Sequence, residues 1–461
     1  MGILHAMFSN DLYSFEQAFP GVRDCTSAAM KAAIGEWFGL YFGAEVDKED
    51  PCQQLPYTVV SKLCRTAFAE YELAVTGGKE SFFTGAVLPW LDEARKRAVQ
   101  LALIGGEAWL KPVPLNAEKR FAFLPMRRDC VVVIARAPGG EVTDLVSAET
   151  TKEGGKVYTL LERRRASARG AVIDSKLFCS ADGASLGSQM PLATLAKYAS
   201  LLPTNTLPGV EGIGLARLAV PMENCVDGSS DPVSVYAAAV GLIHNVNKNE
   251  WQLGREFEKG ASRIIASADM MTKDKNGKAR LDDELFAGID DDPEAVGITI
   301  FSPALREQSF LARKAEYLRN LETVMGIKRG LLGEVEAAQR TATEVTSSQG
   351  DYSLTLADVQ GMWESCARQA LRLCDQLGRA YKLCGAEPFD PQKDVSISWG
   401  NGILYDKDKD WAETMALVSA GMLRPEIALA WRYDLPWKTP KDLEKVRALY
   451  MPELEQMAGD E

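Results

Sequence analysis

TATEVTSSQGDYSLTLADVQGMWESCARQALRLCDQLGRAYKLC, residues 341–384, decides how the rest of the chain is read. Leu356, Val359, Trp363, Cys366, Ala370, Leu373, Leu377, Ala380 and Cys384 follow at alternating steps of three and four. That spacing puts apolar side chains on one face of an α-helix. Thr341 and Glu344 stand three apart, as a capping box requires, with hydroxyl and carboxylate each taking the other's backbone amide. A helix over 342–384 spans about 64 Å at 1.5 Å per residue, and Gly350 and Gly361 are candidate bends in it. Upstream, Leu311, Leu318, Leu321 and Met325 mark one face of a helix over 306–325, which Gly326, Gly330 and Gly333 then interrupt.

Working outward, the first hundred residues are helical by the same criterion. Met30, Ile34, Trp37 and Tyr41 set a helix over 28–42; Val59, Leu63, Ala67 and Tyr71 one over 56–75; Leu91, Ala94, Ala98 and Leu101 one over 87–102. From Glu107 to Leu192 the period shortens, and 108–112, 130–134, 157–161 and 172–173 read as short strands between Gly, Pro and Asp turns. Arg163, Arg164, Arg165 and Arg169 cluster there, which predicts a solvated strand edge or pairing with an acidic neighbouring subunit. Asp231 followed by Pro232 predicts the start of a helix running to Ile265, with Tyr236, Val240, Ile243, Val246, Leu253 and Phe257 as its apolar face. Asn276-Gly277 predicts a hairpin turn, and Gly297 to Phe301 a strand. After Gly385 come a strand over 395–399 and helices over 411–420, 425–432 and 440–449, the last capped by Thr439.

Composition bounds the function. The chain has 461 residues and a formal charge of −12, which argues against tight wrapping of nucleic acid but allows a conduit that DNA slides through. No apolar run approaches the ~18 residues of a membrane helix, and residues 1–10 lack a signal-peptide pattern. Nine cysteines without a CxxC pair read as reduced, buried thiols. With His5 and His244 the only histidines, general acid–base candidates are few. Gly209 to Gly214 has neither the Walker nor the dinucleotide spacing and reads as a loop. Neither a catalytic residue nor a metal or cofactor site is expected.

Five stretches resemble, in order, the portal proteins of tailed bacteriophages, of the branch infecting mainly Gram-positive hosts. They are Tyr158 to Arg164 (YTLLERR), Ser175-Lys-Leu-Phe178 with Leu186 to Pro191, Asn247 with Arg255-Glu-Phe257 and Lys259 to Ile264, Thr341 to Val345, and Gly421 to Glu426. The resemblance runs from about Ala28 to Glu453. It implies an α+β portal fold: a mixed α/β wing (1–230), a stem helix (231–265), a small α/β clip (266–305), a second stem helix (306–326), a tunnel loop (327–341), a long wing helix and strand (342–400), and a helical C-terminal crown (401–461). It also implies a ring, twelvefold in virions, that passes double-stranded DNA and meets terminase, adaptor or head-completion proteins, major capsid protein and scaffolding protein. It implies further that no membrane is involved, that assembly takes place in the host cytoplasm and that the final location is the virion. Lys328, Arg329 and Arg340 are the expected channel cations, Lys273, Lys275, Lys278 and Arg280 the clip-docking cations, and Gly326, Gly330 and Gly333 the hinges. The departure lies in the loop, where Ile327-Lys-Arg-Gly-Leu-Leu-Gly333 replaces the family's usual residues. A minor capsid protein, or a monomeric enzyme, is the alternative.

Overall fold

The computed structural model describes residues 17–43, 50–260 except 182 and 184, 304–333, 342–399 and 407–451 except 434 and 438; for 263–265, 271–273, 279–281, 299–301, 342–351, 407–410 and 413 it describes the backbone alone. Two compact units emerge: residues 1–65 with 74–396, and residues 66–73 with 397–461.

The larger unit opens with α1 (Ala28–Phe42), where Ser27 Oγ accepts the Met30 amide and Gly43, at φ 62°, ends the helix. Its buried residues include Met30, Ile34, Trp37 and Tyr41, the face read from spacing. α2 (Leu55–Ala67) stops short of the expected Val75, because Glu72–Val75 is a strand, β1. α3 (Glu80–Ala86) and α4 (Leu88–Gly105) follow. α4 ends where Gly106 passes so close to the chain that a Cβ would lie 2.4 Å from the Pro232 carbonyl oxygen.

The strands are far longer than the sequence suggested. β2 (Glu107–Leu115), β3 (Arg120–Met126) and β10 (Ala216–Ala219) form an antiparallel sheet in the order β10-β2-β3. The second sheet has the order β4-β5-β6-β7-β8: β4 is Val131–Arg136, β5 Val142–Glu153, β6 Lys156–Ser167, β7 Gly170–Ser180 and β8 Ser188–Met190; β9 (Thr204–Pro208) also pairs with β7. β6 is therefore an interior strand, and its arginines are not on a solvated edge. Arg163 Nε and Nη2 donate to Asp144 at 3.1 and 2.7 Å, Arg165 pairs with Asp174, and Arg164 is buried beside Glu162, which also holds Lys111. The acidic partners belong to this same chain. Polar alternation misses such strands because buried ion pairs occupy positions that an apolar pattern needs.

One buried cluster joins these pieces. Glu107, 0% exposed, receives Nη1 and Nη2 of Arg136 at 3.1 and 2.7 Å, Nε of Arg217, and Arg128 Nε at 3.8 Å. Arg136 Nε donates to Asp231 at 2.9 Å, and Arg128 Nη2 to Thr26 Oγ1 at 2.8 Å. Burial alone pushes the Glu107 carboxyl up, but the guanidinium groups, Arg136 above all, hold it below its usual value. With Asp231 committed to Arg136 it caps nothing, and the expected 231–265 helix begins only at Val240. Residues 232–236 run instead through the core: Val233, Val235 and Tyr236 are buried, the Val235 amide donates to the Leu103 carbonyl at 3.0 Å, and Tyr236 Oη donates to the Trp37 carbonyl at 2.9 Å. A 3₁₀ turn over Ala237–Ala239 leads into α5 (Val240–Lys259). Beyond α5, residues 263–265, expected as helix, form β11 and pair antiparallel with β14 (Thr299–Phe301); β12 (Met271–Lys273) pairs with β13 (Ala279–Leu281) around the expected hairpin.

α6 is Glu307–Val324, and α7 is Ala342–Ala380, one uninterrupted helix through Gly350 and Gly361. At 1.5 Å per residue α7 is about 58 Å long. Leu356, Val359, Trp363, Cys366, Ala370, Leu373 and Leu377 are all buried, and Met362, Ala367, Leu371 and Cys374 widen the stripe. This face packs on β2, β10 and α4 of the same chain, so its apolarity is no sign of burial between subunits. The expected Thr341 cap lies outside the described residues.

The smaller unit holds α8 (Lys407–Ser419), α9 (Pro425–Arg432) and α10 (Pro440–Tyr450) after β15 (Val395–Ser398), close to the expected bounds. Thr439 and Asp442 form the capping box at α10. Gly421, at φ 70°, stops α8. The fold class is α+β, and no helix among the described residues is long and apolar enough to cross a membrane.

Removing the Glu107 charge leaves three guanidinium groups around a buried, uncompensated site. Glu107→Gln is expected to cost about 3–5 kcal/mol, read as an earlier urea-unfolding midpoint at pH 7. Because the folded carboxyl is depressed, its contribution is present at neutral pH and fades as pH falls through the folded value. The gap between the variant and the parent therefore narrows on acidification.

Candidate functional site

α5 and α6 pack against each other along their lengths. Glu256 receives Arg306 Nε and Nη2 at 2.9 and 2.7 Å, and Glu250 receives Lys314 at 2.6 Å. Asn249 Nδ2 donates to the Phe310 carbonyl at 3.1 Å. As residue numbers fall along α5 they rise along α6, so the two helices are antiparallel. Ile243, Val246 and Leu253 of α5 and Leu318 and Leu321 of α6 are buried, whereas Leu311, read as part of the inward face, is exposed along with Phe257 and Leu305. At the hairpin end, a Cβ on Gly260 would lie 2.2 Å from Leu305 Cδ2. The Glu256 carbonyl oxygen lies 2.7 Å from the same position, and that backbone contact is the one a side chain there would strain.

The other end of α6 is a built stop. Gly326, at φ 59°, donates its amide to the Thr323 carbonyl at 3.2 Å, and the Ile327 amide reaches back to the Glu322 carbonyl at 3.0 Å. These two bonds are the Schellman pattern, and the apolar residue after the glycine completes it; Ile327 is buried. Thr355 Oγ1 of α7 donates to the Gly326 carbonyl at 2.9 Å. The carboxylate of Glu322, 4% exposed, then accepts the Gly330 amide at 3.0 Å and the Leu332 amide at 2.7 Å, while Lys62 donates to the Leu331 carbonyl. Gly330 itself has φ 84°. Residues 326–332 are thus held at fixed points, and the glycines at 326 and 330 satisfy a turn geometry that a side chain would strain.

Lys328 and Arg329 are exposed and make no ion pair among the described residues. Gly333 directly follows this anchored turn; Arg340 lies outside the described residues. Of the expected docking cations, Lys273 and Arg280 lie on the paired strands β12 and β13, with Thr272 opposite Arg280; Lys275, Lys278 and all four side chains lie outside. The structure therefore brings together Lys328 and Arg329 only.

Sequence reading missed Glu322. The signal was available: it stands four residues after Leu318 and three before Met325, a position on the apolar stripe where a carboxylate needs partners. Lys62 and Thr355 gave no such signal, since their partners are distant in sequence.

Two solved structures align with nearly the whole chain. One is the neck of an empty GTA particle computed with C6 symmetry, 12% identical, with a TM-score of 0.48, covering 92% of this chain and 98% of that one. The other is the neck of a native GTA particle computed with C12 symmetry, 12% identical, with a TM-score of 0.42, covering 91% and 97%. No family model matches the sequence, and no curated protein does.

Glu322→Ala leaves two amides of the turn without their acceptor. Hydrogen exchange at residues 327–333 is expected to accelerate by roughly 10-fold or more, the equivalent of the ~1–3 kcal/mol of an unsatisfied buried group. Exchange in β5 and β6 should not change.

Proposed function

We propose that the chain is a portal-type head–tail connector subunit of a phage-like particle, a ring whose axial channel carries double-stranded DNA into and out of a capsid. The observation that carries this reading is the antiparallel α5–α6 pair. Residues 261–303 leave it at one end, and at the other an anchored turn presents two unpaired cations, Lys328 and Arg329, to solvent. The order of the motifs from Tyr158 to Glu426 supports the same assignment.

In this reading α5 and α6 line the channel as the stem. Residues 266–305 are the clip, docking terminase during packaging and adaptor or head-completion proteins afterwards, with Lys273, Lys275, Lys278 and Arg280 on the docking side. The loop 327–341 faces DNA, and the C-terminal helices form the crown. Phe257, Leu305 and Leu311, exposed on the pair, supply apolar surface for the neighbouring copy.

Charge supports a conduit over a clamp. α5 carries Lys248, Arg255 and Lys259 against Glu250, Glu256 and Glu258, and α6 carries Arg313, Lys314 and Arg319 against Glu307, Glu316 and Glu322. With His244 uncharged the pair carries no net charge and so no net attraction for a polyanion, and each full contact to a loop cation adds a salt-dependence slope near −0.9. Nothing along the stem then holds the duplex.

Mass photometry at micromolar concentration is expected to give a closed ring of several hundred kilodaltons, about 600 kDa for twelve copies of the 50.4 kDa chain, with an axial hole in negative stain. A stable monomer would sink the reading; a sheet or shell without a hole would favour a minor capsid protein. Lys328→Glu with Arg329→Glu should leave the ring intact and reduce the salt slope of DNA binding.

A further inference from the structure

α5 is also gripped near its start. His244 Nδ1 faces Asp50 Oδ2 at 2.5 Å, and its Nε2 faces Glu36 Oε1 of α1 at 2.8 Å. One turn on, Asn247 Oδ1 accepts the Gln53 amide at 3.1 Å. The first turns of α5 are therefore joined to α1 and to the segment at 50–53, and the charged part of that joint runs through one ring.

A neutral imidazole has one N–H and one lone pair. With a carboxylate oxygen at each nitrogen, either neutral tautomer sets its lone pair against an acceptor. Only the doubly protonated ring donates to both. The other oxygen of Asp50, Oδ1, is buried and finds no hydrogen-bond partner, so His244 is the described counter-charge of a partly desolvated carboxylate. Burial pushes the ring's pKa down, whereas the bonds and charges of Glu36 and Asp50 raise it, and the net direction is up from 6.5.

Among the described residues no other charged group faces the ring. From α6, Arg306 and Lys314 are taken by Glu256 and Glu250, and Glu322 by the loop amides. On α1, Lys31 is paired with Asp24. Lys248, one turn along α5, is exposed.

We propose that His244 is a proton-operated latch: as an imidazolium it clamps the start of α5 both to α1 and to the Asp50 segment, and loss of one proton breaks one of those two bonds and loosens that end. The fully formed clamp belongs to pH below the ordinary histidine value and weakens as pH rises through the raised value. The latch itself does not depend on the ring assignment; its bearing on a channel does, because α5 is a stem helix only in that reading.

His5 and His244 are the only histidines, so hydrogen–deuterium exchange at the imidazole C2 carbon, read by peptide mass spectrometry, reports each ring separately in monomer or assembly alike. The His244 inflection is expected above 6.5 and should fall toward it in Glu36→Gln and in Asp50→Asn. Backbone exchange over 240–248, corrected for its intrinsic pH dependence, should step up through that inflection in the parent chain, and the step should be absent in His244→Gln. An inflection at or below 6.5, or one that neither variant moves, overturns the proposal. So does an inflection that moves as expected without the step in backbone exchange, which would leave a surface ion pair only. If His244→Gln fails to fold, Glu36→Gln alone decides, through the same two readouts. None of these results tests ring formation, which mass photometry reads separately.

Discussion

The carboxylate of Glu107 is the point on which the larger unit depends. It is fully buried, with guanidinium groups from a 3₁₀ turn, from β4 and from β10 converging on it. Moving a carboxylate out of water is costly unless its charge is matched and its lone pairs are filled. Here the match is made by parts of the chain far apart in sequence, so the two sheets and the N-terminal segment come together or the charge stays uncompensated. Arg136 then extends the network to Asp231, and that one bond decides where α5 begins. A residue that would otherwise cap a helix becomes a strut, and the helix starts nine residues later.

The same contrast explains what was legible in the sequence. Elements whose stability comes from an apolar stripe were read to within a few residues: α1, α6, α7 and the three C-terminal helices. Elements that run through ion pairs were not. Strands β5 to β7 set Asp144 opposite Arg165 and Arg163 opposite Asp174, with Glu162 and Arg164 paired along β6 itself, and a periodic pattern shows a polar stretch where the fold has a paired interior. α5 was over-extended at its start because Asp231-Pro232 carries a helix-start signal, whereas Asp231 is bonded to Arg136 and Val233, Val235 and Tyr236 are buried in a non-helical segment. The apolar stripe of α7 was correctly placed from Leu356 to Leu377, and β2, β10 and α4 cover it. Of the candidate site, Lys328 and Arg329 were visible as surface cations and Gly326 and Gly330 as breaks. The carboxylate that organises them stood out only by its place on the apolar stripe of α6; its partners are backbone amides, which a sequence does not name.

This anchoring covers the first residues of the loop expected over 327–341. Residues 326–332 are fixed by Glu322, Lys62 and Thr355, so Lys328 and Arg329 project from a rigid base. A charge held on a rigid base keeps its position relative to the helices that carry it. Glycine at 326 and 330 serves the geometry of the base more than its freedom.

The tie from Thr355 to the Gly326 carbonyl joins that base to α7, and α7 is clamped again farther along. Arg368 donates to the carbonyls of Pro391 and Val395, and Asp375 is paired with buried Lys79. In mechanical terms α7 is a beam fixed at intervals along its length. A load on the turn at 326–332 enters the beam at Thr355, and the sheet beneath resists it before the turn can deflect. A force of either sign on that turn follows the same path into the body.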